Sequence, residues 1–220
     1  MNFEDRIMIF DDFIEKDYQE EIKKELLGAV DHTGLQFPWY YIEDVTSAYD
    51  DDSQHRPGLS HQYVKLPKGL DDDDEDIVPG PKLVGQVTSE YHELFVPMLK
   101  TVGAKLGMRN INVLQGRSFL QFPVNTDGTI DSPHIDICSE VDFIVALYYV
   151  VDSDGNTVIY NETEESKTYT IKKSVTPKQG RMVIFDGSLY HAAEQPINSN
   201  TRCVVNYNLG AWWETNFTQF

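Results

Sequence analysis

The chain is 220 residues long, which suits one domain better than two, and its 40% apolar content with 12 Tyr, 11 Phe and 3 Trp argues against global disorder. Its 18 Lys+Arg against 36 Asp+Glu leave a net charge of −18. That balance lacks the basic stripe of a nucleic-acid binder and disfavours docking on anionic membranes.

Residues 6–14 read as a short strand and a turn. A helix is expected from Asp17, with Glu20 placed as in a capping box. Ile22, Leu26 and Val30 recur at helical spacing and mark its buried face. Residues 31–82 are less regular, and the acidic run at residues 71–76 repels itself into a solvated loop. It lacks the glycine and spaced ligands of an EF-hand, and residues 44–82 are a candidate lid over a site mouth.

A second helix is expected over residues 86–106, carried by Tyr91, Leu94, Phe95, Met98, Leu99, Val102 and Leu106. Pro97 should kink or restart it, and Gly107 should cap it. From residue 111 the texture changes to short β-rich runs between turn residues: INVLQGRSFLQF, VDFIVALYYVV, TVIYNE, KTYTIK, RMVIFD and TRCVVNYNLGAW. DSDGN reads as a hairpin turn. The expected fold class is α+β, mainly β, a sandwich or barrel with helices outside.

Cys138 and Cys203 form no CxxC pair, so neither a zinc ribbon nor a redox motif is expected, and both read as free thiols. The start of the chain lacks a basic region followed by an apolar run, and no stretch approaches the roughly 18 apolar residues of a membrane span. The expected location is the cytoplasm.

Three polar features interrupt the apolar strands. His134 and Asp136 lie two apart, so on an extended backbone they share a side and could share a cation. His191 follows 55 residues after Asp136, behind the strand RMVIFD and the turn DGS. Arg202 follows 11 residues later, early in an apolar strand, where a buried guanidinium needs an anion. Two His and one carboxylate leave open positions on an octahedral metal, the pattern of non-haem iron(II) oxygenases. A chelating co-substrate could fill those positions, with arginine gripping its far carboxylate.

This ordered set, His134, Asp136, His191 and Arg202, resembles the iron(II)- and 2-oxoglutarate-dependent oxygenase superfamily. LYYVVDSDGNTVIYNE and PKQGRMVIFDGSLYHAAEQPINSNTRCVVNYNL resemble its prolyl-4-hydroxylase-like branch, in a phage or bacterial style. The resemblance covers roughly residues 111–212. It implies a double-stranded β-helix (jelly roll) over about 111–213 with helical support over about 1–110. It also implies iron(II) on His134, Asp136 and His191, 2-oxoglutarate on Arg202, and dioxygen as the second co-substrate. The implied reaction is hydroxylation of a small molecule or peptide, with 2-oxoglutarate decarboxylated to succinate. Collagen-type prolyl hydroxylases carry lysine where this chain has Arg202, so the prolyl substrate does not follow.

Around this set, Thr157 and Tyr148 could offer hydroxyls to the co-substrate, although a turn threonine and a core tyrosine are the simpler readings. Arg117 and Gln121 are candidates for the substrate mouth. Asn206, four residues past Arg202, should face the same side and support the site. His32, His55, His61 and His92 read as surface or loop residues, and Trp212 and Trp213 as core caps. Two rival readings stay open: a cupin-like metal-binding module without oxygenase activity, and a structural jelly-roll protein. A zinc hydrolase finds no HExxH helix here.

Overall fold

A computed structural model describes residues 7–28, 36–45, 56–66, 84–108, 111–124, 130–137 and 141–210. Its strands are β1 (Ile7–Phe10), β2 (Tyr40–Ile42), β3 (Gly58–Lys65), β4 (Gln86–Val87), β5 (Asn112–Gln121), β6 (Phe143–Tyr149), β7 (Thr157–Tyr160), β8 (Ile171–Val175), β9 (Met182–Asp186), β10 (His191–Ala193) and β11 (Arg202–Gly210). The helices are α1 (Lys16–Leu27) and α2 (Val96–Leu106), the latter preceded by the 3-10 segment Glu90–Phe95.

The strands form two antiparallel sheets. The large one runs β1-β9-β6-β11-β5-β3-β2, with β4 added on β3, and the small one runs β10-β7-β8. Residues 130–134 extend the small sheet along β10, through the bridges Ile130↔Glu194 and His134↔His191. The chain therefore has the expected architecture, a β-rich jelly roll with helices on the outside.

The alternation of the central strands explains the layering. In β6, Ile144, Ala146 and Tyr148 join Ile22, Leu26, Met98 and Val102 in the core between the helices and the large sheet. Val145, Leu147 and Tyr149 join Ile159, Val183 and Phe185 in the core between the two sheets. Every residue of β6 is buried. Each such aliphatic or aromatic side chain contributes roughly 1.5–3 kcal/mol of burial. β8 lies at the edge of the small sheet and is mostly exposed.

Several local expectations change. α1 starts at Lys16 with Glu15 as its N-cap, and no side chain caps it, so the Asp17–Glu20 capping box is not formed. Ile22 and Leu26 are buried as expected, and Val30 lies outside the described residues. The expected helix over 86–106 is split: β4 takes its start, the 3-10 segment follows, and Pro97 sits in the first turn of α2. A 3-10 turn repeats every third residue, so its apolar spacing passes for α-helical over one turn. Gly107 does cap α2, with φ 69° and its N–H on the Ala104 carbonyl.

DSDGN is not a hairpin turn. It carries the chain from β6 in the large sheet to β7 in the small one. Asp154 holds this crossover by accepting from the Ile197, Asn198 and Ser199 N–H groups. Gly155 is needed for close approach, since a Cβ there would meet the Glu194 carbonyl at 2.5 Å and the Pro196 nitrogen at 2.9 Å. The stretch read as an irregular loop and lid contains β3, an inner strand of the large sheet. The acidic run, Cys138, Trp212 and Trp213 lie outside the described residues.

Candidate metal centre

His134 and His191 face each other across the backbone, each N–H bonded to the other's carbonyl at 2.9 Å. Their rings lie 4.6 Å apart between centroids. Each ring is oriented from behind, with His134 Nδ1 on the Ser132 carbonyl at 3.1 Å and His191 Nδ1 on the Leu189 carbonyl at 3.2 Å. A carbonyl only accepts, so Nδ1 carries a proton and Nε2 is the nitrogen turned toward the site.

Both Nε2 atoms turn toward Asp136, at 3.9 Å for His134 and 3.8 Å for His191. The three donor atoms lie within 4.8 Å of one another. Asp136 follows the ladder at a bend and reaches into the large sheet. Arg117 on β5 donates to its Oδ1 at 2.7 Å, and Asn206 on β11 donates to its Oδ2 at 2.9 Å. These two residues are register partners across β5 and β11, which sets their spacing.

The electrostatics suit a divalent cation. Burial works to raise the Asp136 carboxyl, but the Arg117 guanidinium, both imidazoles and Asn206 outweigh it and hold it well below the usual range. Burial, reinforced by His134, holds His191 down to about 4. At neutral pH the pair is an anionic carboxylate beside a neutral imidazole. Two imidazole nitrogens and one carboxylate on one side of a cavity fit a metal with open positions, so iron(II) is compatible with the donors present.

That cavity has a volume of about 380 Å³ and runs between the two sheets, past Leu147, Val204, Phe185 and Phe119. Arg202 stands farther along β11 on the same side and is only 4% exposed. Its Nε donates to the Gly155 carbonyl at 3.0 Å, and its two terminal nitrogens donate to Gln121 at 2.6 Å and Thr157 at 2.8 Å. All three acceptors are neutral. Among the described residues Arg202 makes no salt bridge, whereas the buried Arg56 pairs with Asp131 at 2.7 Å.

No family model and no curated protein matches the sequence. Solved structures do match. A 2OG-Fe(II) oxygenase-family oxidoreductase from Burkholderia pseudomallei shares 12% identity at a TM-score of 0.62, over 94% of this chain and 86% of that one. The fold is that of the 2-oxoglutarate- and iron(II)-dependent oxygenases. Among other proteins with this oxygenase fold is a Trichoplax adhaerens prolyl hydroxylase, solved with a hypoxia-inducible-factor peptide. It matches at 12% identity and a TM-score of 0.57, over 94% and 84% of the two chains. HygX from Streptomyces hygroscopicus, solved with nickel, 2-oxoglutarate and hygromycin B, matches at 11% identity and a TM-score of 0.51, over 94% and 84%.

Within this oxygenase fold, His134, Asp136, His191 and Arg202 line one cavity, together with Arg117, Gln121, Thr157 and Asn206. Tyr148 does not join them. Its side chain lies in the core on the helix side, and Tyr149 instead donates to the Thr157 hydroxyl at 2.7 Å. Arg117 and Gln121 hold Asp136 and Arg202, a tighter involvement than lining a mouth. His61 is a buried residue of β3 bonded to the Pro38 carbonyl and to Ser89 Oγ, and not a surface group. His92 is part-buried against the Tyr207 hydroxyl. His32 and His55 lie outside the described residues.

Sequence reasoning missed Asp131 and Arg56. Asp131 lines the cavity, and three side chains donate to it: Arg56, Gln195 and Gln121. Burial raises its carboxyl, against the pull of Gln195 and Arg56. No helix of the described residues is long and apolar enough to cross a membrane.

Proposed function

We propose that the protein is an iron(II)- and 2-oxoglutarate-dependent dioxygenase. It hydroxylates a substrate C–H bond while 2-oxoglutarate is decarboxylated to succinate and carbon dioxide. One observation carries this reading: the cavity that receives the His134–Asp136–His191 donors also receives a buried guanidinium, Arg202, that pairs with no carboxylate among the described residues.

His134, Asp136 and His191 would hold the iron, which would supply dioxygen activation and open positions for the chelating 2-oxo acid end of the co-substrate. Asn206, which grips Asp136, is four residues from Arg202 on β11. At about 3.3 Å per residue that is roughly 13 Å, room for a five-carbon dicarboxylate chelated at one end. Arg202 then meets the distal carboxylate with charge-assisted hydrogen bonds. Thr157 accepts from both Tyr149 and Arg202, so its own proton is left to donate to the same carboxylate. Phe119, Val204, Leu147 and Phe185 exclude water around the reacting centre.

The substrate is a small molecule or a protein side chain. A net charge of −18 favours neutral or cationic substrates over nucleic acid. Arginine at position 202 separates this site from collagen-type prolyl hydroxylases. Iron(II) and 2-oxoglutarate added together without oxygen should give the weak visible absorption of the chelate, and Arg202→Ala should lose it. Metal binding without that band, and without succinate formation in air, would make the protein a metal-binding module only.

A further inference from the structure

Arg202 poses a problem that the metal ligands do not. A buried cation attracts any carboxylate within reach, and one is close by. Asp131 is 3% exposed, lines the same cavity, and lies near enough to influence Arg202 through its charge. If Asp131 paired directly with Arg202, the anchor would be neutralised from within. Instead, one side chain stands between them.

Gln121 lies directly opposite Arg202 in the β5–β11 ladder. Its amide is fixed at both ends. The carbonyl oxygen accepts from Arg202 at 2.6 Å, and the amide nitrogen donates to Asp131 Oδ2 at 3.3 Å. Only this orientation satisfies both neighbours, because a guanidinium only donates and a carboxylate only accepts. The other oxygen of Asp131 is taken by Arg56 at 2.7 Å and Gln195 at 2.9 Å. Among the described residues, the buried charged groups here are thus two guanidiniums and one carboxylate, and the carboxylate is paired with Arg56.

We propose that Gln121 is a neutral spacer that keeps Asp131 off Arg202, leaving the cation to be compensated by the distal carboxylate of the co-substrate. Gln121 is a positioning residue on this view: it acts through Arg202. The inference rests on the proposed 2-oxoglutarate site. It adds that co-substrate affinity depends on the neutrality of position 121, beyond the presence of Arg202.

The test uses the full chain and two nearly isosteric substitutions. Gln121→Glu places a carboxylate against Arg202, whereas Gln121→Met keeps size and neutrality but removes both hydrogen bonds. Iron(II) affinity, 2-oxoglutarate affinity from the anaerobic visible band, and the melting shift with 2-oxoglutarate are measured for each. Gln121→Glu should weaken 2-oxoglutarate binding by about tenfold or more, the scale of losing one charge-assisted pair, with iron(II) affinity unchanged. Gln121→Met should stay within about threefold of the native chain. The two bonds it removes are made to charged groups in the free and the bound protein alike, so their loss falls on stability and not on co-substrate affinity.

A merely structural glutamine would instead give equal losses in both variants and would lower iron(II) affinity as well. Equal losses, or native affinity in Gln121→Glu, overturn the proposal. If Gln121→Glu does not fold, Gln121→Met decides: affinity kept supports the spacer, and a tenfold loss overturns it. Failure of the underlying reading looks different, because the native chain itself would then show no 2-oxoglutarate band.

Discussion

Asp136 sits where both sheets meet, and both of its oxygens are already engaged, one by Arg117 and one by Asn206. Such outer partners aim a ligand, and their loss typically costs 10–100-fold in metal affinity. Asn206→Leu is therefore expected to weaken iron(II) binding by about that factor, while Asp136→Ala should abolish it. Titration with iron(II), followed by the melting temperature, checks both; native affinity in Asn206→Leu would remove Asn206 from the site. The ligands themselves were legible because each breaks an apolar run with a polar residue. Tyr148 is the core tyrosine of the simpler reading, and Tyr149 was missed for a physical reason: every position of β6 is buried, so no alternation of polar and apolar residues reveals which parity faces the cavity. Asp131 and Arg56 were illegible because they lie in short unpatterned stretches and meet only across 75 residues of chain.

The crossover from β6 to β7 shows how an element can be recognised and still be misplaced. The turn chemistry of DSDGN was plain, but turn residues do not say whether the next strand pairs with the last or joins another sheet. What decides is the packing of Gly155 under the 194–196 segment and against Arg202, whose Cδ would lie 3.1 Å from an added Cβ. Gly155→Ala should cost about 1–3 kcal/mol, the usual range for overpacking, and should also weaken 2-oxoglutarate binding by displacing the guanidinium. Denaturant melts read the first effect and the anaerobic band the second. An unchanged melt would show that the loop gives way freely.

A second element-scale contact fixes β1. Arg181 donates to both oxygens of Asp11, at 2.6 and 3.1 Å, tying the end of β1 to the turn before β9. The Arg181 hydrogen bonds hold the Asp11 carboxyl down to about 2 from an ordinary 3.8. A carboxyl lowered by folding stabilises the native state at pH values above its unfolded value. That contribution is lost as pH falls from about 4 to about 2. Because the pair is partly exposed, it is worth at most about 1 kcal/mol. Asp11→Asn should lower stability by that amount at pH 7 and by nothing near pH 2. An equal difference at both pH values would show that the effect is not the ion pair.

At the scale of the whole molecule, the net charge of −18 is a self-repulsion that the fold must withstand. Salt screens it, with a Debye length near 10 Å at 0.1 M. The melting temperature should therefore rise between about 0.02 and 0.3 M sodium chloride, and a flat or falling curve would mean that local ion pairs dominate instead. The layered plan was legible as a class, since period-two runs and an amphipathic α1 announce sheets with outer helices. Sheet membership was not, because partners lie far apart in sequence. β3 hid inside a stretch without a clear pattern, although it forms the wall opposite β11 across β5.

The placement of the three donors has a mechanical side. His134 and His191 hang from the small sheet through their paired backbones, while Asp136 is gripped from the large sheet. An ion held by all three would work as a rivet through a laminate. Pulling it should free the layers to slip apart before either frays internally. Hydrogen exchange with and without a chelator would resolve this as faster exchange along β7, β8 and β10, with the centre of the large sheet scarcely altered.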